Sequence, residues 1–270
     1  MVKDLKHVIK NDVSFNVADD KQFAYFWNTV FPNHWEDFTF QVLDHYLHPD
    51  GNYLDIGSWV GPTLLYAANK AKYSFGVEPD SVAYEALKKN IKLNSELEEK
   101  ITIINKALSY KSGTMNLYKR TQFGDSSSSL VQSLSDEFQT IAVSTLKELV
   151  SEYKITDLSL IKMDIEGGEY LLIPSMQKYL KRYKPPLYLS LHPEFLKSSM
   201  IKRCPDYSAR KLRKSYIKKV KKLINSLDMY DYIYFSPLKR IEKSKLLQAL
   251  LKNDAPIELL FTTTPFNLKL

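Results

Sequence analysis

Asp55-Ile56-Gly57-Ser58-Trp59-Val60-Gly61-Pro62-Thr63 is the stretch that decides how this chain folds. The residues just before it, Tyr53 to Ile56, are β-rich. Those after it, 62–72, carry a helical pattern opened by a proline, whose missing N–H costs little in a first turn. Two glycines four apart stand between, and they let the backbone approach a ligand with no Cβ in the way. A strand ending in a carboxylate and turning through glycines into a helix is the opening unit of an α/β sheet, where ligands sit beyond the carboxyl ends of the strands. Glu78 closes the next β-rich run, 21 residues after Gly57. That spacing suits a carboxylate accepting two hydrogen bonds from a ribose diol.

The same alternation continues downstream. Helical patterns at 81–94, 145–153 and 169–183 separate β-rich runs at 73–78, 101–104, 158–163 and 187–191. Short strands alternating with helices predict a parallel sheet covered on both faces. Thr114 to Tyr118 reads as a short extra strand. Thr145 and Glu148 have the spacing of a capping box. Near the C-terminus, strands at 232–235 and 258–263 flank a helix at 239–251, and could form an antiparallel edge pair. The expected fold is therefore α/β, a doubly wound (Rossmann-like), seven-stranded, mostly parallel sheet. Residues 1–34 read as an N-terminal extension and 35–270 as one domain, with a helix stripe (Phe38, Val42, Leu43, Tyr46, Leu47) just before the first strand.

Composition narrows the class. Hydrophobic residues make up 44% of the 270 and charged residues 26%, which is ordinary for a globular protein. No apolar run approaches the length of a membrane span, and the first residues lack the apolar core of a signal peptide. A single cysteine, Cys204, excludes an internal disulfide framework and fits a reducing compartment, so a cytoplasmic location is expected. The net charge of +7 is concentrated between Lys197 and Lys222, read as a basic helix over 207–227. Only Tyr207 and Tyr216 are placed there to stack on bases. A solvated helix face is thus favoured over an RNA surface, with attraction of an anionic, phosphate-bearing acceptor as an intermediate reading.

The glycine loop itself discriminates between ligands. Dinucleotide binding requires a middle glycine to admit the pyrophosphate, and Trp59 occupies that position. S-adenosylmethionine carries no phosphate and tolerates the side chain. Asp55 also sits better beside a cationic methionine amino group than beside a pyrophosphate. The loop thus points to an S-adenosylmethionine-dependent methyltransferase.

Further motifs sharpen that expectation. Val77-Glu78-Pro79-Asp80, Leu87 with Asn90-Ile91-Lys92-Leu93-Asn94, Ala107-Leu108-Ser109, the serines near Ser127, and Thr145-Leu146 occur in order. Ile161-Lys162-Met163-Asp164-Ile165-Glu166-Gly167-Gly168-Glu169 and His192-Pro193 follow. Together, over about residues 35–193, they resemble the FkbM-type methyltransferases, whose K-I-D-V-E-G-x-E motif is the most specific match. The resemblance implies that Asp55, Gly57, Ser58, Gly61 and Thr63 border the methionine portion of the cofactor, and that Glu78 binds the ribose with Pro79 against the adenosine. Asn105, Lys106 and Ala107 then fall at the adenine, Asp164 beside the methionine amino group, and Trp35, Glu36 and Thr39 in a W-E-x-x-T stretch closing over the cofactor. Met163, Gly168 and Trp59 depart from the family pattern without removing a polar group.

Methyl transfer from a sulfonium is an in-line displacement in which positioning carries most of the acceleration. A neutral hydroxyl acceptor also needs a base within ~2.6–3.2 Å. Asp164, Glu166 and His192, at or just past strand ends, are the catalytic candidates. A divalent metal held by the same three is an open alternative, against which stand the missing H-x-x-x-H and C-x-x-C pairings and the frequency of a carboxylate pair plus one histidine without metal. Glu169 reads as a structural cap, Lys162 as a buried lysine reaching a sheet end, and the loop 124–129 either as an acceptor contact or as solvated. The expected function is O-methylation of a small polar acceptor, a sugar hydroxyl in a glycan, glycolipid or natural product. Two alternatives stand beside it: a nucleic-acid methyltransferase using 197–222, disfavoured by the missing N-P-P-Y-type site, and a non-catalytic cofactor-binding domain. Oligomeric state stays open.

Overall fold

The computed structural model describes residues 5–266. A hairpin of β1 (Leu5–Lys10) and β2 (Val13–Ala18) opens the chain. Then come α1 (Asp37–Tyr46), β3 (Asn52–Ile56), α2 (Pro62–Ala68), β4 (Tyr73–Val77), α3 (Ser81–Lys92), the single turn α4 (Ser95–Glu98) and β5 (Ile101–Ile104). A small sheet is built from β6 (Ala107–Leu108), β7 (Gly113–Tyr118) and β8 (Phe138–Ser144). After it follow α5 (Leu146–Glu152), β9 (Leu158–Asp164), α6 (Glu169–Tyr183), β10 (Leu187–Leu191), α7 (Pro193–Arg203) and α8 (Ala209–Asn225). The chain ends with β11 (Tyr232–Phe235), β12 (Lys239–Ile241), α9 (Lys243–Lys252) and β13 (Ile257–Thr262).

The main sheet has the order β12-β11-β13-β10-β9-β3-β4-β5. Strands β3, β4, β5, β9 and β10 run parallel, and β13 is antiparallel to both β10 and β11. This is the expected doubly wound sheet of seven strands, with β12 added as an eighth at the edge. Residues 239–241, expected to begin the last helix, instead pair with β11, and the helix starts at Lys243.

The central strands are apolar on both faces because both faces are covered; all five residues of β10 are buried. One face packs Leu54, Ile56, Ile161, Met163 and Leu189 under α5, α6, α8 and α9. The other packs Tyr53, Leu160, Tyr188 and Leu260 under α1, α2, α3 and the N-terminal segment. Within that segment Phe15, Trp27 and Phe31 are buried, so residues whose pattern reads only weakly in the sequence belong to the same core.

The motif Asn90-to-Asn94 explains how the hairpin is held. Asn90 accepts from the Ala18 amide at 2.8 Å and donates to the Val60 carbonyl at 2.9 Å. Asn94 accepts from the Asn16 amide at 2.7 Å and donates back to its carbonyl at 2.8 Å. Two side chains thereby satisfy backbone groups that would otherwise be buried unpaired.

Two further elements, β8 and α7, are additional to the sequence reading. β8 was not anticipated; it pairs with β7, and its burial alternates only partly. The basic helix expected over 207–227 is present as α8, started by Ser208 accepting from the Lys211 amide, and α7, which ends at Arg203, carries the earlier lysines of the basic stretch. The Thr145–Glu148 capping box is present. Among the described residues no helix is long and apolar enough to cross a membrane.

Gly57 fixes the seam between β3 and β9. Its φ is +90°, and a Cβ there would lie 1.9 Å from the Asp164 carbonyl oxygen. Because that oxygen is backbone, the clash cannot be relieved by a rotamer. Gly57→Ala is expected to cost about 2–4 kcal/mol, from the left-handed strain and the overpacking together. Urea denaturation measures this, and a loss near zero would show that the strand tips can separate.

Candidate active site

Beyond the carboxyl ends of β3, β4, β9 and β10 lies a cleft of two parts. An apolar cavity is bounded by Glu78, Pro79, Ala107, Leu108, Met115, Val131 and Leu172. A polar cavity is bounded by Trp35, Glu36, Ser58, Thr63, Lys162, Ser190, His192 and Glu258. Gly57, Trp59, Ser126, Asp164 and Glu166 line both and form the junction.

The glycine loop is shaped by hydrogen bonds to its neighbours. Trp59 adopts the left-handed region at φ 49°, and its amide donates to Glu78 Oε2 at 2.8 Å. Glu78 Oε1 accepts from the Asp80 amide. Burial nevertheless pushes the Glu78 carboxyl up to about 8, with the two amides opposing it. Asp55 lies beneath the loop, fully buried, and accepts from Thr63 Oγ1 at 2.6 Å. Its second oxygen, Oδ1, has no hydrogen-bond partner. Gly61, at φ 93°, caps α2.

Thr39, Asn105 and Lys106 stand behind the cavity wall rather than in it, whereas Trp35 lines the polar cavity. Thr39 is buried, donates to Glu36 Oε2 at 2.9 Å and lies 2.8 Å from the Tyr188 hydroxyl. Asn105 donates to the Glu78 carbonyl at 2.9 Å, and Lys106 pairs with Glu152. Trp35 packs edge-on against Phe26 at 5.0 Å.

The serine loop is not a free solvated segment. Ser128 Oγ and the Gly124 amide both donate to Asp80 Oδ2 at 2.8 Å. Ser129 donates to the carbonyls of Ile165 and Glu166, and the Trp59 indole donates to the Gly124 carbonyl at 2.8 Å. Ser126 remains exposed at the junction.

Past β9 the chain turns through Glu166 (φ 60°) and Gly167 (φ 97°). Glu169 caps the turn, accepting from the amides of Ile165 and Gly167 at 2.9 and 3.0 Å. His192 lies among carboxylates: Nε2 is 3.0 Å from Asp164, while Nδ1 is 3.3 Å from Glu194 and 3.4 Å from Glu166. Only the doubly protonated ring can donate on both sides. Burial alone would lower its pKa, but the bonds to Asp164 and Glu194 raise it to about 11. Asp164, which burial alone would raise, is held below its ordinary range by His192 and Lys162. Glu166 is gripped by Arg120 at 2.7 Å, yet burial, and after it the Asp164 charge, push its carboxyl up to about 7.

Asp164, Glu166 and His192 can each present one ligand atom within 4.8 Å of the others. An ion there would need the imidazole neutral, whereas the surrounding carboxylates hold it protonated. As they stand, His192 pairs with Asp164 and Glu194 while Arg120 holds Glu166, and the same donor set would suit a divalent cation once the imidazole gave up its proton.

Cleft residues that the sequence did not single out include Ser190, Phe235 and Glu258, and Arg120 reaches the cleft through Glu166. Lys162 was read as a buried lysine without a site. Its signal was available, since it stands two before Asp164 and so shares its face of the strand.

The buried acids set how stability depends on pH. Glu36, Glu166 and Glu169 are raised to about 7 and Glu78 to about 8, from 4.5, chiefly by burial. Between pH 5 and 8 the folded chain keeps protons that the unfolded chain releases, so stability falls as pH rises. His192, raised from 6.5 to about 11, acts in the same direction from pH 6.5 upward. Without cofactor, the melting temperature is expected to fall steadily from pH 5 to pH 8, and Glu166→Gln should flatten the slope. A rising profile in differential scanning calorimetry would contradict this assignment of charges.

Comparison with known proteins bears on the same residues. A family profile described as the methyltransferase FkbM domain matches residues 50–223. No curated protein matches the sequence. Among solved structures, the methyltransferase FkbM from Methylobacillus flagellatus KT is 14% identical, covers 89% of this chain and 59% of its own, and has a TM-score of 0.44; this chain thus spans well under two thirds of that relative. A putative S-adenosyl-L-methionine-dependent methyltransferase from Methanococcus maripaludis is 13% identical over 92% of this chain and 94% of its own, with a TM-score of 0.44. An rRNA methylase from Streptococcus thermophilus is 12% identical over 84% and 94%, with a TM-score of 0.41. With well over half of its length matched by the family profile, the chain belongs to the FkbM methyltransferase family.

Proposed function

We propose that the chain transfers a methyl group to a hydroxyl oxygen of a small polar acceptor, a sugar in a glycan, glycolipid or natural product. The observation that carries this reading is the junction of an apolar and a carboxylate-lined cavity at Gly57, Trp59, Ser126, Asp164 and Glu166. A two-part cleft fits a two-part cofactor, with an apolar adenosyl end and a charged amino-acid end. When bound, S-adenosylmethionine supplies an electrophilic methyl on a sulfonium.

The chain's own residues divide the work. Glu78 takes the ribose, with Pro79 and Ala107 on the adenosine side. Gly57, Ser58 and Thr63 border the methionine portion, and Trp35 and Glu36 cover it from the turn that precedes α1. Asp55, Gly61, Thr39 and Asn105 position these groups from behind. Lys106 contributes through its backbone only, its ammonium being engaged by Glu152.

Among the three catalytic candidates, Glu166 is the base. Its carboxyl titrates at about 7, the range in which a group both accepts a proton and is available at neutral pH. Asp164 stays ionised, and His192, already protonated, holds the charge of Asp164 and Glu166 in place. Carboxylates, serine hydroxyls and the rings of Phe26, Trp35 and Phe235 around the polar cavity suit a polyhydroxyl ring with an apolar face. The same carboxylates repel a phosphodiester backbone, and the lysines of α8 lie on a solvated helix face. A nucleic-acid acceptor is disfavoured on both counts.

Labelled S-adenosylmethionine incubated with a panel of sugars and their deoxy analogues tests the reading. Transfer to a sugar, lost when one hydroxyl is removed, is expected; transfer confined to RNA or protein would overturn it. Glu166→Gln should lower turnover by about 10²–10⁴, the usual weight of general-base catalysis, while S-adenosylhomocysteine binding in calorimetry stays near its original value. Chelator treatment should leave turnover unchanged, and a metal-restorable loss would instead assign Asp164, Glu166 and His192 to an ion.

A further inference from the structure

Lys162 stands on β9 in register with Asp55 of β3 and Tyr188 of β10. It shares its face of the strand with Asp164, one pleat nearer the middle of the sheet. Its side chain is only 5% exposed, yet it lines the polar cavity. The nearest carboxylate oxygen, Asp55 Oδ1, is 3.7 Å from Nζ, beyond hydrogen-bond reach. Asp55 Oδ1 itself has no hydrogen-bond partner. An ammonium carries three donors, and among the described residues none of those on Lys162 meets an acceptor. Buried donors are rarely left unmade, because desolvating them without a partner is costly.

The other cations near the junction are engaged. Arg120 is committed to Glu166, and His192 lies between Asp164 and Glu194. Lys162 thus brings a cation with unused donors to a cavity whose other charged groups are the carboxylates Glu36, Asp164, Glu166 and Glu258 and the already engaged His192. Burial alone would favour its neutral form, but Asp55, Glu36, Asp164 and Glu258 outweigh it and hold the ammonium above its ordinary range. It is therefore a poor base and a good anion donor.

We propose that Lys162 anchors the α-carboxylate of the cofactor's methionine portion, with Asp164 and Glu36 receiving its ammonium. The cavity then recognises a zwitterion, one lysine for the negative end and two carboxylates for the positive end. This rests on the assignment of the chain as a methyltransferase, and Lys162 acts in it as a binding residue, not as a catalytic one.

Calorimetric binding of three adenosyl thioethers tests the proposal without an acceptor. S-adenosylhomocysteine has both charged groups, its decarboxylated analogue keeps only the amine, and 5′-methylthioadenosine has neither. The unaltered chain should favour S-adenosylhomocysteine over the decarboxylated analogue by about ten- to hundredfold, as for a charge-assisted hydrogen bond. In Lys162→Met that preference should vanish while 5′-methylthioadenosine binds as before. Because this variant strands the Asp55 charge, the pair Asp55→Asn with Lys162→Met is measured alongside and should lose the preference too. A preference retained in either variant, or an equal loss for all three ligands, would overturn the role of Lys162 alone. Failure of the unaltered chain to bind S-adenosylhomocysteine would sink the methyltransferase assignment together with it.

Discussion

Everything in the cleft depends on how closely β3 and β9 approach at their tips. Gly57 lies directly over the Asp164 carbonyl, with no space for even a methyl group between them. This contact brings the glycine loop, with its helix α2, against the turn that carries Asp164 and Glu166. Parallel strands supply the framework at a spacing of about 4.8 Å, but only a residue without a Cβ lets the loop fold back across the seam. The junction between the two cavities is the outer surface of that contact.

The second constraint is electrostatic. The cleft gathers Glu36, Asp55, Asp164, Glu166 and Glu258 against Lys162, Arg120 and His192. Carboxylates outnumber cations in a place where water cannot screen them, so some are pushed to titrate near neutrality. A site arranged in this way favours a ligand that brings positive charge. It also supplies a carboxyl group able to exchange a proton at physiological pH, which few buried environments do.

Much of the fold was legible because the central strands report their own burial. The apolar run of β9, the Gly57–Gly61 spacing and the Thr145–Glu148 box each have one structural solution. The N-terminal hairpin was not legible, since its alternation is short and its pairing depends on Asn90 and Asn94, more than seventy residues away. β8 escaped notice because the small sheet leaves one of its faces half exposed. At the site, residues at strand ends were found from their type and position. Glu258 and Phe235 were not, because only the antiparallel return of β13 and β11 brings them to the cleft. Lys162 was noticed but undervalued: a lysine in a strand usually reaches for solvent, and only the surrounding carboxylates reveal that this one stays inside.

The cleft is assembled from two kinds of segment within the chain. Glu78, Asp164, Glu166 and His192 fall inside the segment shared with the FkbM family. Phe26, Trp35 and Glu36 precede it, Phe235 and Glu258 follow it, and together they make up much of the wall opposite the shared strand tips. The cleft is thereby closed by stretches lying on either side of the shared segment. Variation in these flanks would change the shape and charge of the polar cavity while leaving the shared strand tips in place.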